Sequence, residues 1–317
     1  MSGNGCWQRL PDRWHGGSVD RVLVVDKPRG ITSHDVVSRL RRSTGERRIG
    51  HGGTLDPAAT GVLVVLVGKA TRLMQFIVET DKEYVGRISL GVVTDTHDSE
   101  GSVISTAPVD GITRSAIEEA MGAFVGDVDQ IPPMTSAIKR GGRPLYELAR
   151  KGVVVEREPR RITIRRFELL DYDAPEAEFV LECSKGTYVR KLAHDVGQTL
   201  SVGAHLAALT RTRVGRFRLE DAATLPEIER LGAGIEGAGL SMFDALHGWP
   251  SLLLDDDETE KVVFGGAVEI GRDRLQGDAG THVRLTGDGE SLMAIGVVRD
   301  VRDDSLVVRP VKVFEAI

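Results

Sequence analysis

Apolar positions along this chain fall into short runs with two rhythms. Val22 to Val25 is a continuous apolar stretch, the pattern of a buried strand, which Asp26-Lys27-Pro28 should stop. Ser33 stands ahead of Val36, Val37 and Leu40 at helical spacing, so a helix capped by Ser33 is expected. Gly50 to Gly61 reads as a glycine-rich loop feeding a second apolar strand, Val62 to Val67, and then a helix from about Lys69 to Glu79. Tyr84 to Leu90 alternates like a strand with one buried face. Residues 113–124 read as a helix, Ile162 to Leu170 and Glu178 to Cys183 as paired strands, Tyr188 to Leu200 as a helix and Val214 to Leu219 as a strand. Between them, residues 126–160 form a long irregular stretch with one short helical piece, Leu145 to Lys151; connections of that length are usually functional.

The rhythm changes after Trp249-Pro250. An acidic run, Asp255 to Glu258, opens a short helix, and short strands follow near Val268–Ile270, Val283–Leu285, Leu292–Val298 and Leu306–Val313. The expected organisation is a loose tail over 1–18, a main domain over 19–249 with an insertion at about 126–160, and a small β-rich domain over 250–317.

Charge refines this picture. The net charge of −6 argues against a nucleic-acid partner until its distribution is read: residues 246–317 carry 8 of the 41 Lys+Arg but 14 of the 47 Asp+Glu. The rest is neutral, with arginines clumped at Arg39–Arg48, Arg157–Arg166 and Arg211–Arg218. Such clusters are either solvated faces or a local phosphate-binding surface. Two cysteines exclude a disulfide framework. No apolar run approaches the roughly 20 residues of a membrane span, and the first eighteen residues lack a signal-peptide core, so a cytoplasmic location is expected.

The most unusual stretch is Gly50-His51-Gly52-Gly53-Thr54-Leu55-Asp56-Pro57-Ala58-Ala59-Thr60-Gly61. Glycines permit close backbone approach, and Pro57 stiffens the chain after Asp56, as suits a loop presenting a carboxylate. A plain glycine-rich turn with a solvated Asp has the same pattern. A phosphate-binding Gly-x4-Gly-Lys-Ser/Thr loop, a His-Glu-x-x-His zinc motif and a Gly-x-Ser-x-Gly elbow are all missing. Asp95 to Gly101 has a calcium-loop flavour without the EF-hand spacing.

The string GHGGTLDPAATGVL resembles the signature of the bacterial tRNA pseudouridine synthases that act on the T-loop uridine, the TruB family, shared with their RNA-guided dyskerin relatives. DKPRGITSHDVV, KEYVGRISLG and CSKGTYVRKLAHDVGQTLSVGAHLAALTRTRVGRF agree with it in the same order. The resemblance implies an α+β pseudouridine-synthase fold with a mixed, mainly antiparallel sheet and a small C-terminal β-barrel of the PUA type. It makes Asp56 the catalytic carboxylate, as nucleophile or oxocarbenium stabiliser at the N1–C1′ bond, and Arg190 its partner. Tyr84 is implied to stack on the extruded base and to take part in proton transfer. His51 is implied to help open the T-loop or to occupy the space vacated by the flipped uridine, and Tyr188 and Leu209 to line the uridine pocket. Lys27 and Pro28 look like supports of the loop.

The implied reaction needs no cofactor and no metal. The implied partner is the T-arm stem–loop of tRNA, gripped by residues 126–160, with no membrane, no obligatory protein partner and a monomeric enzyme. An RNA-guided rRNA pseudouridine synthase shares the motifs and is the alternative within the class. A glycoside hydrolase would need a second carboxylate as acid where the motif supplies an arginine. A catalytically silent RNA-binding protein would not require Asp56, Tyr84 and Arg190 together.

Overall fold

The computed structural model describes residues 19–134, 136, 139–140, 143–144, 153 and 155–314. The expected tail over 1–18 and the helical piece Leu145 to Lys151 lie outside them.

The strands are β1 Arg21–Lys27, β2 Ile49–His51, β3 Thr60–Val67, β4 Lys82–Leu90, β5 Val92–Thr94, β6 Val103–Thr106, β7 Gly126–Gln130, β8 Lys139–Arg140, β9 Arg143–Pro144 and β10 Arg160–Asp173. They continue with β11 Glu176–Cys183, β12 Ala204–Val214, β13 Phe217–Arg218, β14 Ala223–Thr224, β15 Ser251–Leu253, β16 Val268–Gly271, β17 His282–Thr286, β18 Ala294–Val301 and β19 Ser305–Val313. The helices are α1 Ser33–Thr44, α2 Met74–Val78, α3 Arg114–Gly122, α4 Val189–Thr199, α5 Leu225–Leu231, α6 Met242–Ala245 and α7 Asp256–Val263.

A ten-stranded sheet runs in the order β14-β1-β3-β12-β4-β11-β10-β7, with β13 beside β12 and β2 beside β3. The β1–β14 and β3–β12 pairs are parallel and the others antiparallel, so the expected mixed, mainly antiparallel sheet is present. The five strands β15-β17-β18-β19-β16 form a second sheet.

The unbroken apolar runs of β1 and β3 arise because both faces of these strands are covered. Val22, Val24, Val62, Val64 and Leu66 point to one side, where Leu73 and Ile77 meet Leu292, Ile295 and Phe314 from the far end of the described chain. Leu23, Val25, Leu63, Val65 and Val67 point to the other, against Val36, Val37 and Leu40 of α1 and Leu225 and Ile228 of α5. A third core, under β4, β10, β11 and β12, takes Ile117 and Met121 from α3 and Leu192, Ala193 and Val196 from α4. Each large aliphatic side chain so buried contributes about 1.5–3 kcal/mol. The second sheet is fastened to the first by aromatic edges: Phe76 of α2 lies 5.5 Å from Trp249 and 5.4 Å from His282, centroid to centroid.

Several local expectations need correction. The cap of α1 is Thr32, whose side chain accepts from the Asp35 N–H in a reciprocal capping box; Ser33 is already helical and buried. β1 runs on through Asp26 and Lys27, and Pro28 ends it. The helix expected over Lys69 to Glu79 is a 3-10 turn, Gly68–Leu73, followed by the short α2. The strand expected over Val214 to Leu219 is instead the end of the eleven-residue β12 followed by the short β13, and Leu209 lies within β12, opposite Gly86 of β4. None of the described helices is long and apolar enough to cross a membrane.

Candidate active site

Asp56 stands on the connection from β2 to β3, and three buried side chains hold that connection by its backbone. Ser33 Oγ accepts from the Leu55 N–H at 2.8 Å and donates to the Leu55 carbonyl at 3.1 Å. Lys27, fully buried, donates to the carbonyls of Ile31 at 2.7 Å, Pro28 at 3.0 Å and Pro57 at 3.3 Å. Arg211, also buried, reaches the carbonyls of Val62, Gly53 and Thr54 at 2.8, 3.1 and 3.3 Å. Within the loop, the Ala59 N–H bonds the Asp56 carbonyl at 3.1 Å, a tight turn with Pro57 at its second position, where the fixed φ of proline fits. Gly61 is required by geometry: its φ is +96°, and a Cβ there would sit 2.3 Å from the Arg211 carbonyl oxygen.

Opposite the loop, α4 delivers Arg190 from its first turn. A cation there runs against the helix dipole, so the position is unfavourable without carboxylates nearby. Two are present. Arg190 Nε lies 3.4 Å from Asp56 Oδ2, and Nη1 lies 3.6 Å from Asp98 Oδ2. Asp98 is itself tied down: its Oδ1 accepts from Thr96 Oγ1 at 2.6 Å and from the Glu100 N–H at 3.1 Å.

The Asp56 side chain keeps 46% of its surface accessible, enough for a substrate to reach, while Arg190 keeps 7%. Burial by the surrounding protein pushes the Asp56 carboxyl above its ordinary range; Arg190 pulls it down, Asp98 pushes it up and Lys27 pulls it down. The pairing with Arg190 therefore favours the ionised form as expected, but desolvation outweighs it. Burial also brings Lys27 down to about 8, against the opposing pull of Asp56 and Glu100.

Tyr84, on β4, is buried under this cluster; burial raises its phenol, with Arg211 opposing and the field of Asp56 adding to the rise. Tyr188 immediately precedes α4, within the field of Arg190 and Asp56, and burial raises its phenol too. Its backbone is bracketed by Gln130, whose Oε1 accepts from the Tyr188 N–H at 2.8 Å and whose Nε2 donates to the Tyr188 carbonyl at 3.2 Å. Leu209 packs against the core that contains Leu55 and Tyr84. Asp56 and Arg190 are thus in contact, Tyr84 and Tyr188 lie within their field, and Leu209 packs on the core beside Leu55. His51 stands apart from them, at the end of β2, where its neighbours are Arg211, Gly53 and His34; burial and Arg211 lower its imidazole.

Four residues of this arrangement escape sequence reasoning. Ser33 has the signal of a helix cap, and Arg211 that of a charged cluster. Asp98 sits in the calcium-like run, whose lack of metal spacing was the available clue. Gln130 has no signal at all. Some members of the arginine clusters meet acidic neighbours: Arg39 with Glu229, Arg161 with Asp127, Arg165 with Asp81, Arg166 with Glu168 and Arg213 with Glu182.

Against known proteins, the family model described as TruB family pseudouridylate synthase (N terminal domain) matches residues 41–189, and that described as tRNA pseudouridylate synthase B C-terminal domain matches residues 190–235. The chain is 56% identical over 213 residues to tRNA pseudouridine synthase B of Opitutus terrae, covering 67% of this chain and 88% of that one. It is 41% identical over 293 residues to the protein of the same name from Saccharophagus degradans, covering 90% and 94%. Among solved structures it resembles a chain of a Cbf5-Nop10-Gar1 complex, with TM-score 0.72, 26% identity and coverage of 94% of this chain and 86% of that one. It also resembles a chain of an H/ACA RNP bound to a substrate RNA containing 2'-deoxyuridine, with TM-score 0.69, 25% identity and coverage of 93% and 85%.

Proposed function

The chain belongs to the TruB family of pseudouridylate synthases, and from that premise we propose how its residues perform the family's reaction. It is a tRNA pseudouridine synthase that isomerises uridine-55 of the T-loop. The N1–C1′ bond breaks, the uracil turns, C5 bonds to C1′, C5 gives up its proton to solvent and N1 takes one up, so atoms balance without a cofactor. The observation that carries the residue assignment is the 3.4 Å contact between Arg190 and Asp56, made where an accessible carboxylate meets a buried guanidinium.

Asp56, in its ionised form, acts at the sugar–base linkage of a flipped nucleotide. Arg190 favours that ionised form and aims it, and Asp98 holds Arg190 from its other side. Tyr84 supplies a face for the extruded base, since every base has a π surface to stack. Tyr188 and Leu209 enclose the uracil. His51, set apart from the carboxylate cluster, faces the incoming T-loop. Ser33, Lys27 and Arg211 are positioning residues for the loop that carries Asp56.

The enzyme acts in the cytoplasm as a monomer on the T-arm alone, and the second sheet is a PUA-like unit. The RNA-guided alternative is the weaker reading: relatives named tRNA pseudouridine synthase B are 41–56% identical to the chain, whereas the chains in the Cbf5 and H/ACA complexes are 25–26% identical. Incubating the purified protein with an unmodified T-arm stem–loop and mapping pseudouridine tests the whole reading. Modification at position 55 without added protein is expected. No product from that RNA, but product after adding a guide RNA and accessory proteins, would replace it with the alternative.

A further inference from the structure

Next to the Asp98–Arg190 contact lies a second contact between the same two elements, which the reaction as described does not use. His97 precedes Asp98 in the turn after β5, and His194 follows Arg190 by four residues on α4, one helical turn along the same face. Their rings stack with centroids 4.0 Å apart and planes inclined by 12°. The turn and the helix are therefore joined by two adjacent rungs: an ion pair at 3.6 Å and a flat pair of imidazoles.

We infer that His97 and His194 are positioning residues of the isomerisation, a two-ring clamp that sets the turn bearing Asp98 against the helix bearing Arg190. The inference rests on the reading that Asp56 and Arg190 carry the reaction.

Three features support a dedicated contact over a chance one. His97 holds φ at +63°, in the left-handed region, where a non-glycine side chain is uncommon and its backbone strained. Both ring Nδ1 atoms are buried with no hydrogen-bond partner in the protein, a second unfavourable feature. Native structures keep such features where the surroundings enforce them, and they concentrate at functional sites. Third, the backbone ties of the turn lead elsewhere: Leu206 N–H donates to the His97 carbonyl at 3.0 Å and Ser99 N–H to the Leu206 carbonyl at 3.1 Å, both fastening it to β12. Attachment to α4 is made by side chains, and the rings supply its apolar half.

The clamp works because it is uncharged. From α4 the rings face Arg190, Lys191 and Asp195, and from the turn Asp98. Burial, His194 and the two cations hold His97 down at about 4, and burial and Lys191 lower His194. Two neutral rings stack without repulsion at the pH where the enzyme works. Without the stack the turn keeps its grip on β12 but loses its level against α4, and Asp98 no longer fixes the Arg190 guanidinium. Displacing a catalytic group by about 1 Å can slow a reaction roughly a hundredfold.

The test uses the full-length enzyme with an unmodified T-arm transcript, under single-turnover conditions with enzyme in excess. The variants are His97→Asn, which tolerates the left-handed backbone, His194→Ala, the double variant, and His194→Phe, which restores a flat ring without a titrating group. His97→Asn and His194→Ala should each slow the bond-making step about tenfold or more, with RNA affinity unchanged within about twofold. The double variant should be no slower than the slower single, because both break the same stack. His194→Phe should recover most of the rate. A wild-type rate in His97→Asn, fully additive losses, or a folded His194→Phe as slow as His194→Ala would overturn the clamp. If His194→Ala does not fold, His97→Asn and His194→Phe decide by themselves. Asp56→Asn, run alongside, separates the two ideas: an active Asp56→Asn removes the site reading, whereas a dead Asp56→Asn beside a fully active His97→Asn removes the clamp alone.

Discussion

Replacing Ser33 by Ala isolates the support of the loop that carries Asp56. The hydroxyl is 1% exposed and makes two bonds to one residue, accepting from Leu55 N–H at 2.8 Å and donating to the Leu55 carbonyl at 3.1 Å. Alanine removes one oxygen and leaves both backbone groups without it. A neutral hydrogen bond is worth about 0.5–1.5 kcal/mol net, and a buried group left unsatisfied costs about 1–3 kcal/mol. Partial relaxation at the loop sets the expected loss at about 1–3 kcal/mol. In urea, with a slope of about 3 kcal/mol/M, the midpoint should fall by about 0.3–1 M with the slope unchanged. Leu55 adjoins Asp56, so the single-turnover rate should fall as well, roughly tenfold or more, while RNA affinity holds. Thr32→Ala is the control. It removes the actual helix cap, should cost about 1 kcal/mol, and should leave the rate untouched. Equal rates in Ser33→Ala and wild type, with a loss below about 0.5 kcal/mol, would refute the claim that Ser33 holds the loop.

Asp56→Asn keeps the side-chain volume and loses the charge; turnover should vanish while T-arm affinity stays within a few-fold, and appreciable residual turnover would remove Asp56 from its role. Arg190→Lys should recover only part of the activity lost in Arg190→Met, because an ammonium cannot reproduce a planar fork; a Lys variant as fast as wild type would sink the pairing. The Asp56 carboxyl should titrate above its ordinary range, so its ionised form, and with it the rate, is lost as pH falls through that raised value. Arg190→Met should raise that value further and Asp98→Asn should lower it; carbon-13 titration showing both shifts in one direction would contradict the charge arrangement. Neutralising Arg160, Arg161 and Arg165 together should flatten the slope of log K against log salt by about 0.7–0.9 for each phosphate that no longer meets an arginine, and an unchanged slope would place the RNA surface elsewhere.

The loop that carries Asp56 was legible because its demands on residue type are local. Glycine, proline and a single carboxylate in twelve residues constrain the backbone wherever they fold. The long apolar runs of β1 and β3 announced strands covered on both faces. β12 was not legible: Leu206, Leu209, Thr210 and Arg211 alternate imperfectly, and its register with β4 shifts twice, so neither period of two nor of 3.6 stands out. The supporting side chains were hidden for a different reason. Ser33 and Arg211 act on carbonyls and amides far away in sequence, and the partner of such a group is set by tertiary structure. An arginine cluster read along the chain likewise cannot show that Asp127 and Glu182 arrive beside it from other strands.

The apolar face shared by β1, α2 and the second sheet has a consequence for synthesis on the ribosome. Val22 and Val24 are made long before Leu292, Ile295 and Phe314, which form part of their cover. At about 5–20 residues per second, nearly 300 residues take roughly 15–60 seconds to translate. Through that interval the first strand can pair with β3 but keeps one apolar side open, a surface that chaperones recognise. Chains interrupted near residue 250 would lack Leu292, Ile295 and Phe314 and leave their part of this face uncovered. The first strand of the large sheet and the last described residue thus share one core, so neither sheet completes its packing without the other.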